Sequence, residues 1–386
     1  MSDLADDPFR RALEAYVGVV FTEGNSVTRL RNGVEIFPAM LRAVRLARRR
    51  IDFVTYVYWT GDIAQQMAHA LAERSRAGDE VRVLLDAVGA QQMSSDLIEV
   101  MTGSGVELRW FRPPVRWKVW ESDHRTHRKI LVVDDRFAFT GGVGVAQEWE
   151  GDARDPNEWR DTHFQIEGPA VDPLRAAFLS DWRDSGGRAF TEPETPPRPA
   201  PAGDTVLGVV DASAQIQLNS AGRAFETIIS FARERLWIGT PYFNPSERLV
   251  SLLVEAAQRG VEVRVTIPGP HIDKRVSLLS AEEQAGRLLD AGVFLHRFQP
   301  TMYHVKQVIA DRTLAMFGSV NFNARSVYKD EEVAVVAIDP HLNEVLAADY
   351  LADLERCDTV RDRDQLERSW AEAAAGKALK AVESEM

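Results

Sequence analysis

The 386-residue sequence contains a single cysteine, Cys357. That excludes an intramolecular disulfide and any cysteine-rich zinc site, and it suits a reducing compartment. Long apolar runs are also missing. Stretches such as ILVVD and VAVVAI are strand-sized, far short of the roughly 20 residues a spanning helix needs. The start, MSDLADDPFR, carries early acidic residues and no apolar run of signal-peptide type. The expected location is therefore cytoplasmic, with any membrane contact peripheral and on the inner face. Net positive charge is lacking too: 46 Lys+Arg stand against 58 Asp+Glu, a formal charge of -12. This opposes long-range attraction to DNA or RNA, so no nucleic-acid partner is expected.

What is present fits a soluble globular chain, with 45% hydrophobic and 27% charged residues. The length suits two domains. Basic residues nonetheless cluster locally. Arg42, Arg45, Arg48, Arg49 and Arg50 lie together, and Arg109, Arg112, Arg116, Lys118, Arg125, Arg128 and Lys129 crowd one region. A basic site in an acidic protein is expected there.

Prolines concentrate between Gly186 and Asp204, and no apolar periodicity survives in that stretch. It reads as an extended linker, placed at 191–204, between a first half at 1–190 and a second at 205–386. The same order of elements appears on both sides, the mark of a duplication. In the first half, a helix with apolar Phe37, Met40, Leu41, Val44 and Ala47 precedes the strand IDFVTYVYW. A helix from Ile63 to Arg76 and the strand VRVLLD follow. The second half repeats this with a helix around Phe225 to Arg233, LWIGTPYF, a helix from Leu249 to Gln258, and VEVRVTIP. Each series continues through a further helix, a short strand (GVELRWF or GVFLHRF) and three more strands. The spacing predicts an α/β fold: two α/β sandwich halves with mixed or largely parallel sheets, packed as pseudo-twofold copies.

One motif recurs at corresponding places: His127, Lys129 and Asp134 in HRKILVVD, and His304, Lys306 and Asp311 in HVKQVIAD. On a strand, residues i and i+2 share a face, so each histidine and its lysine aim at one point. If the halves meet about a twofold axis, two imidazoles and two ammonium groups converge on one pocket. One imidazole attacks phosphorus, the other protonates the leaving oxygen, and the lysines neutralise the phosphoryl oxygens. The scheme calls for no metal and no other cofactor. A lone H-x-K pair is more simply a strand-edge histidine beside a solvated lysine. Two full copies, each followed by a small-residue turn (Thr140-Gly141-Gly142 and Phe317-Gly318-Ser319), favour phosphodiester chemistry through a phosphohistidine.

With its flanking segments THRKILVVDDRFAFTGG, EWRDTHFQIEGPAV, TPYFNPSERLVSLLVEAAQRGVEVRVTIPG and GSVNFNARS, the chain resembles the phospholipase D superfamily, and within it the soluble type of bacterial cardiolipin synthase. The resemblance runs from about Phe21 to Asp339. It implies that His127 is the nucleophile, that His304 is the general acid and base, and that Lys129 and Lys306 bind phosphate. By the same resemblance, the acids orienting the histidines are Asp161 and Glu332, while Asp134 and Asp311 brace strands. Ser319, Asn321 and Gly142 are expected at the phosphate, with Arg325 and Ser326 in support. One departure is Gly144, which stands where such synthases carry asparagine, as Asn321 does in the second half. It removes one polar contact and bears on substrate choice more than on the chemistry. A second is the absence of the N-terminal membrane segment of many relatives.

The implied activity is transfer of a phosphatidyl group from a phospholipid such as phosphatidylglycerol to an alcohol. The rivals are phospholipase D hydrolysis and a nuclease or phosphodiesterase of the same superfamily. The partners expected are a phospholipid substrate and a membrane surface, the latter touched through Trp110, Trp117 and Trp120 in WFRPPVRWKVW; that segment reads equally as a packed loop over the site. Oligomeric state is not legible. His124 reads as a solvent-facing loop residue and His163 as a satisfied structural histidine. The segment from His341 reads as a closing helix, with Leu346, Tyr350, Leu351 and Leu354 on one side, followed by a charged tail.

Overall fold

The computed structural model describes residues 6–113, 124–189, 199–213, 219–273 and 284–360. Trp117, Trp120, Arg116, Lys118, most of the proline-rich linker and the charged tail lie outside these residues.

Fifteen strands form one sheet in the order β15-β11-β10-β9-β12-β13-β14-β8-β1-β7-β6-β5-β2-β3-β4. The first half supplies β1 (Phe21–Arg31), β2 (Arg50–Thr55), β3 (Glu80–Asp86), β4 (Glu107–Phe111), β5 (Ile130–Val133), β6 (Phe137–Gly141) and β7 (Thr162–Glu167). The second supplies β8 (Thr205–Ala212), β9 (Arg235–Gly239), β10 (Glu262–Pro268), β11 (Phe294–Phe298), β12 (Gln307–Ala310), β13 (Leu314–Gly318), β14 (Glu332–Ile338) and β15 (Cys357–Val360). From the centre outward, the orders β1-β7-β6-β5-β2-β3-β4 and β8-β14-β13-β12-β9-β10-β11 match element for element, so the expected duplication and mixed pairing are present.

The separate sandwiches expected for the halves are joined, because β1 pairs antiparallel with both β7 and β8. Neither β1, FTEGNSVTRLR, nor β8 shows clean apolar alternation. A bulge between Thr22 and Asn25 interrupts the seam. The Asn25 amide secures it, donating to the carbonyl oxygens of Thr22 and Thr205 at 2.8 and 3.2 Å.

Three apolar layers follow. The helices Asn32–Arg45 and Asp62–Arg76 cover one face of the first half, burying Phe37, Met40, Leu41 and Val44 as their spacing predicts. The helices Ser220–Phe231 and Glu247–Gln258 do the same for the second. The helix Pro8–Tyr16 packs here as well, its Phe9 and Leu13 joining the second-half core although it belongs to the first half in sequence. Between the halves lies a shared core, in which Phe164 stacks on Phe317 with ring centroids 3.7 Å apart. The helices Val171–Asp184 and Pro340–Leu354 close this layer. Leu346 and Tyr350 are buried there. Leu351, expected on the same side, is exposed, and the chain then adds β15 against β11. No helix among the described residues is long and apolar enough to cross a membrane.

Candidate active site

Both motif histidines lie in extended segments just ahead of β5 and β12 rather than within those strands. Each segment bridges to the opposite half. The His127 amide donates to the Glu331 carbonyl at 2.8 Å, and the His304 amide donates to the Arg160 carbonyl at 2.8 Å. Each histidine therefore sits beside the residue that follows its bridge partner. Nδ1 of His127 lies 2.9 Å from Oε1 of Glu332, and Nδ1 of His304 lies 2.7 Å from Oδ2 of Asp161. The acid that meets each histidine thus comes from the other half in both cases.

Each acid is itself held. Asp161 accepts from the Trp149 indole N–H at 3.0 Å and from the Thr162 amide at 2.8 Å. Glu332 accepts from the Ser319 hydroxyl, with Ser326 adding a second contact. Two buried arginines fix the backbone beneath: Arg160 donates to the Asp161 carbonyl at 2.5 Å, and Arg128 to the Glu332 carbonyl at 3.3 Å. Gly142 is needed for close approach, since a Cβ there would overlap the Asp161 carboxylate.

Both lysines fold back over their histidines, Lys129 donating to the His127 carbonyl and Lys306 to the His304 carbonyl, each at 2.9 Å. The Lys306 ammonium also lies 3.0 and 3.2 Å from the two ring nitrogens of His304. Burial lowers Lys129 to about 8 and, with repulsion from Lys129, Lys306 to about 7. Burial and the Lys306 charge lower His304 to about 4. Burial also raises Glu332 to about 7, against the pull of Lys129. For Asp161, burial is outweighed by the His304 interaction, Lys306 and the Thr162 amide, and its carboxyl sits below the ordinary range. A phosphodiester anion entering this space meets two cations held at a desolvation cost, which it relieves.

Asp134 and Asp311 stand away from this centre. Asp134 accepts from the amides of Arg48, Arg49 and Arg50 at 2.9 to 3.1 Å. Asp311 accepts from those of Arg233, Glu234 and Arg235 at 2.8 to 3.2 Å. Each ties the entry of β2 or β9 to the turn after β5 or β12. Asn321 donates to the Ser326 hydroxyl at 3.1 Å, and Arg325 pairs with Asp330 at 3.0 Å. A Cβ at Gly144 would stand 2.6 Å from the Val57 Cβ, so glycine admits Val57 where asparagine would force it aside.

Two readings change. The arginines near the first motif do not supply the site's charge: Arg125 is paired with Asp86 at 2.9 Å, and Arg128 with Asp181 at 2.6 Å and with Asp211. His124 is half-buried, its Nδ1 2.7 Å from the Lys329 carbonyl oxygen. Trp110 packs half-buried against the first-half core.

Sequence reasoning missed an aromatic enclosure. The Trp149 and Trp159 rings lie 5.2 and 5.4 Å from His304, and Tyr56 lies 5.1 Å from His127. Tyr242 sits 6.2 Å from His304, and its hydroxyl donates to Asp273 at 2.7 Å. The available signal was positional: QEWE and NEWRD place two tryptophans ten residues apart, and TYVYW and TPYFN place tyrosines just past equivalent strands.

The family described as "Cardiolipin synthase, PLD-like domain" matches residues 40–153 and 225–354. "Cardiolipin synthase 2" of Bacillus cereus is 34% identical over 335 residues, covering 84% of this chain and 64% of that protein. "Cardiolipin synthase" of Halalkalibacterium halodurans is 30% identical over 346 residues, covering 88% and 68%. The chain thus spans just under two thirds of the first of these relatives. Among solved structures, phosphatidylserine synthase of Haemophilus influenzae aligns over 98% of both chains with a TM-score of 0.74 at 14% identity, a likeness of fold.

Proposed function

The chain belongs to the cardiolipin synthase, phospholipase D-like family, and from that premise we propose that it transfers a phosphatidyl group from a phospholipid such as phosphatidylglycerol to an alcohol. The observation that carries the reading is the crossed pair of histidine–carboxylate contacts beside two buried lysines. This is a site for two-step displacement at an anionic phosphorus with an imidazole leaving group.

In the first step, Nε2 of His127 attacks phosphorus, the bond from phosphorus to the headgroup oxygen breaks, and protonated His304 gives that oxygen its proton. Glu332 holds the far nitrogen of His127, and Lys129 and Lys306 neutralise the non-bridging oxygens. In the second step, His304 takes the proton of an incoming hydroxyl, whose oxygen displaces His127 from phosphorus. Burial and Lys306 disfavour charge on His304; a bound phosphodiester acts in the opposite direction, favouring the imidazolium the first step needs. If the acceptor is a second phosphatidylglycerol, the products are cardiolipin and glycerol. With water as acceptor the product is phosphatidic acid. Because the substrate resides in a bilayer, peripheral contact with the inner membrane face belongs to the same reading.

The test is incubation of the full chain with phosphatidylglycerol vesicles and a chelator, with products identified by mass spectrometry. Cardiolipin and glycerol are expected. Phosphatidic acid alone would replace the transferase by a hydrolase, and cleavage of single-stranded DNA without lipid turnover would overturn the lipid reading. His127→Ala and His304→Ala each abolish turnover, whereas His124→Ala retains it; equal loss in all three would count against the assignment.

A further inference from the structure

A row of residues crosses the first half-site on the face that carries the motif. β5 and β6 are registered with Ile130 opposite Thr140. Lys129, one residue earlier, therefore lies beside Gly141, and Gly141 pairs with His163 on β7. The second half repeats the row as Lys306, Gly318 and Ala334. Lysine and glycine are kept, but the third member is an imidazole in one half and a methyl group in the other.

Strands one apart in a sheet are about 9.5 Å from each other, too far for side chains to meet across an intervening one. Glycine opens that path. A Cβ at Gly141 would stand 2.6 Å from Nδ1 of His163, so the ring lies over the glycine. The side chain is 2% exposed, and its Nδ1 is buried without a hydrogen-bond partner. An unmet nitrogen of this kind costs stability, contrary to the satisfied structural histidine expected from the sequence. Burial keeps the ring neutral, at about 3, and the charges acting on it are Asp161 and Lys129. In the second half the corresponding region is a cavity of ≈ 10 Å³, lined by Lys306, Val308, Met316, Gly318, Phe322 and Ala334, which is room for about one water.

We propose that His163 is a positioning residue that backs Lys129 across Gly141 and holds its ammonium toward the phosphate, a support that Lys306 does without, being held by the carbonyl and ring nitrogens of His304. An ammonium has three donors. One meets the His127 carbonyl; with phosphate bound, Nδ1 of His163, unpaired in the structure, accepts the second, and the third is aimed at a phosphoryl oxygen. The inference rests on the phosphodiester site proposed above and adds an inequality between its two halves: Lys129 is backed by a residue of β7, Lys306 by its own motif histidine.

The experiment is calorimetric titration of the full chain with inorganic phosphate, comparing His163→Ala, His163→Gln and His163→Leu, with thermal melts to check folding. Glutamine keeps a neutral acceptor and leucine only fills space. Phosphate binding within about threefold of wild type is expected for His163→Gln, with a loss of about tenfold for His163→Ala and His163→Leu. Wild-type binding in His163→Leu, unchanged binding in His163→Ala, or no phosphate binding by the wild type would each overturn the proposal. If His163→Ala does not fold, the glutamine and leucine variants decide. Lipid turnover is measured separately: its absence alongside the expected phosphate pattern would sink the transferase reading and leave the role of His163 standing.

Discussion

At the scale of single residues, Glu332 shows what the site costs. It is fully buried, lies beside His127 Nδ1, and is met by the Ser319 hydroxyl. Burial lifts its carboxyl from the ordinary 4.5 to about 7. Because the folded value lies above the unfolded one, the folded chain keeps this proton between about pH 4.5 and 7 while the unfolded chain has lost it. The group's contribution to stability is complete below that window and lost as pH rises through about 7. Glu332→Gln, which mimics the protonated acid, is therefore expected to stabilise the protein at pH 8 by up to about 3 kcal/mol and to change little at pH 4. Urea unfolding at the two pH values checks this. Equal effects at both would show that the carboxylate pays no burial penalty. Turnover should be lost in the same variant.

At the scale of elements, the aspartates that complete the repeated motif act on strands. Asp311 accepts three backbone amides at the entry to β9. Asp311→Ala is expected to lower stability by about 2 kcal/mol while leaving turnover per folded molecule within about twofold. A large fall in kcat in a folded variant would return this residue to the chemistry. How far the elements were legible follows the same line. Strands such as ILVVD and EVAVVAI are buried on both faces and read as apolar runs, and the helix bearing Phe37, Met40, Leu41 and Val44 reads by its period. β1 was illegible because it carries Thr22, Glu23, Asn25 and Arg29 at the seam, where pairing on both edges, rather than apolar burial, holds the strand. Of the site, the histidines, lysines and candidate acids could be named beforehand. Which acid serves which histidine could not, because that depends on a bridge between chain segments 205 and 143 residues apart. The rings around His304 escaped notice because tryptophan at a loop end has no spacing rule to betray it.

At the scale of the whole molecule, the halves are joined by the seam, by the shared core and by buried charge. Arg160 Nε donates to both oxygens of Asp353 at 3.0 Å, a second guanidinium nitrogen lies 2.9 Å from the same carboxylate, and both side chains are fully buried. Arg31 reaches the same carboxylate at 2.8 Å. Removing one partner strands the other, so Arg160→Met is expected to cost about 3–5 kcal/mol, and Arg160→Met with Asp353→Leu to recover at least half of that. Urea unfolding decides between this coupling and simple additivity, which would show that the pair does not act across the halves as a unit.

The crossed acids also bear on when this protein can act. A chain still being synthesised, or cut between its halves, holds His127 without Glu332 and Asp161 without His304. On the function proposed above, reactivity toward phosphate esters arrives last, with the docking of the second half. The duplication works as an interlock: the parts are made separately harmless and become competent only together.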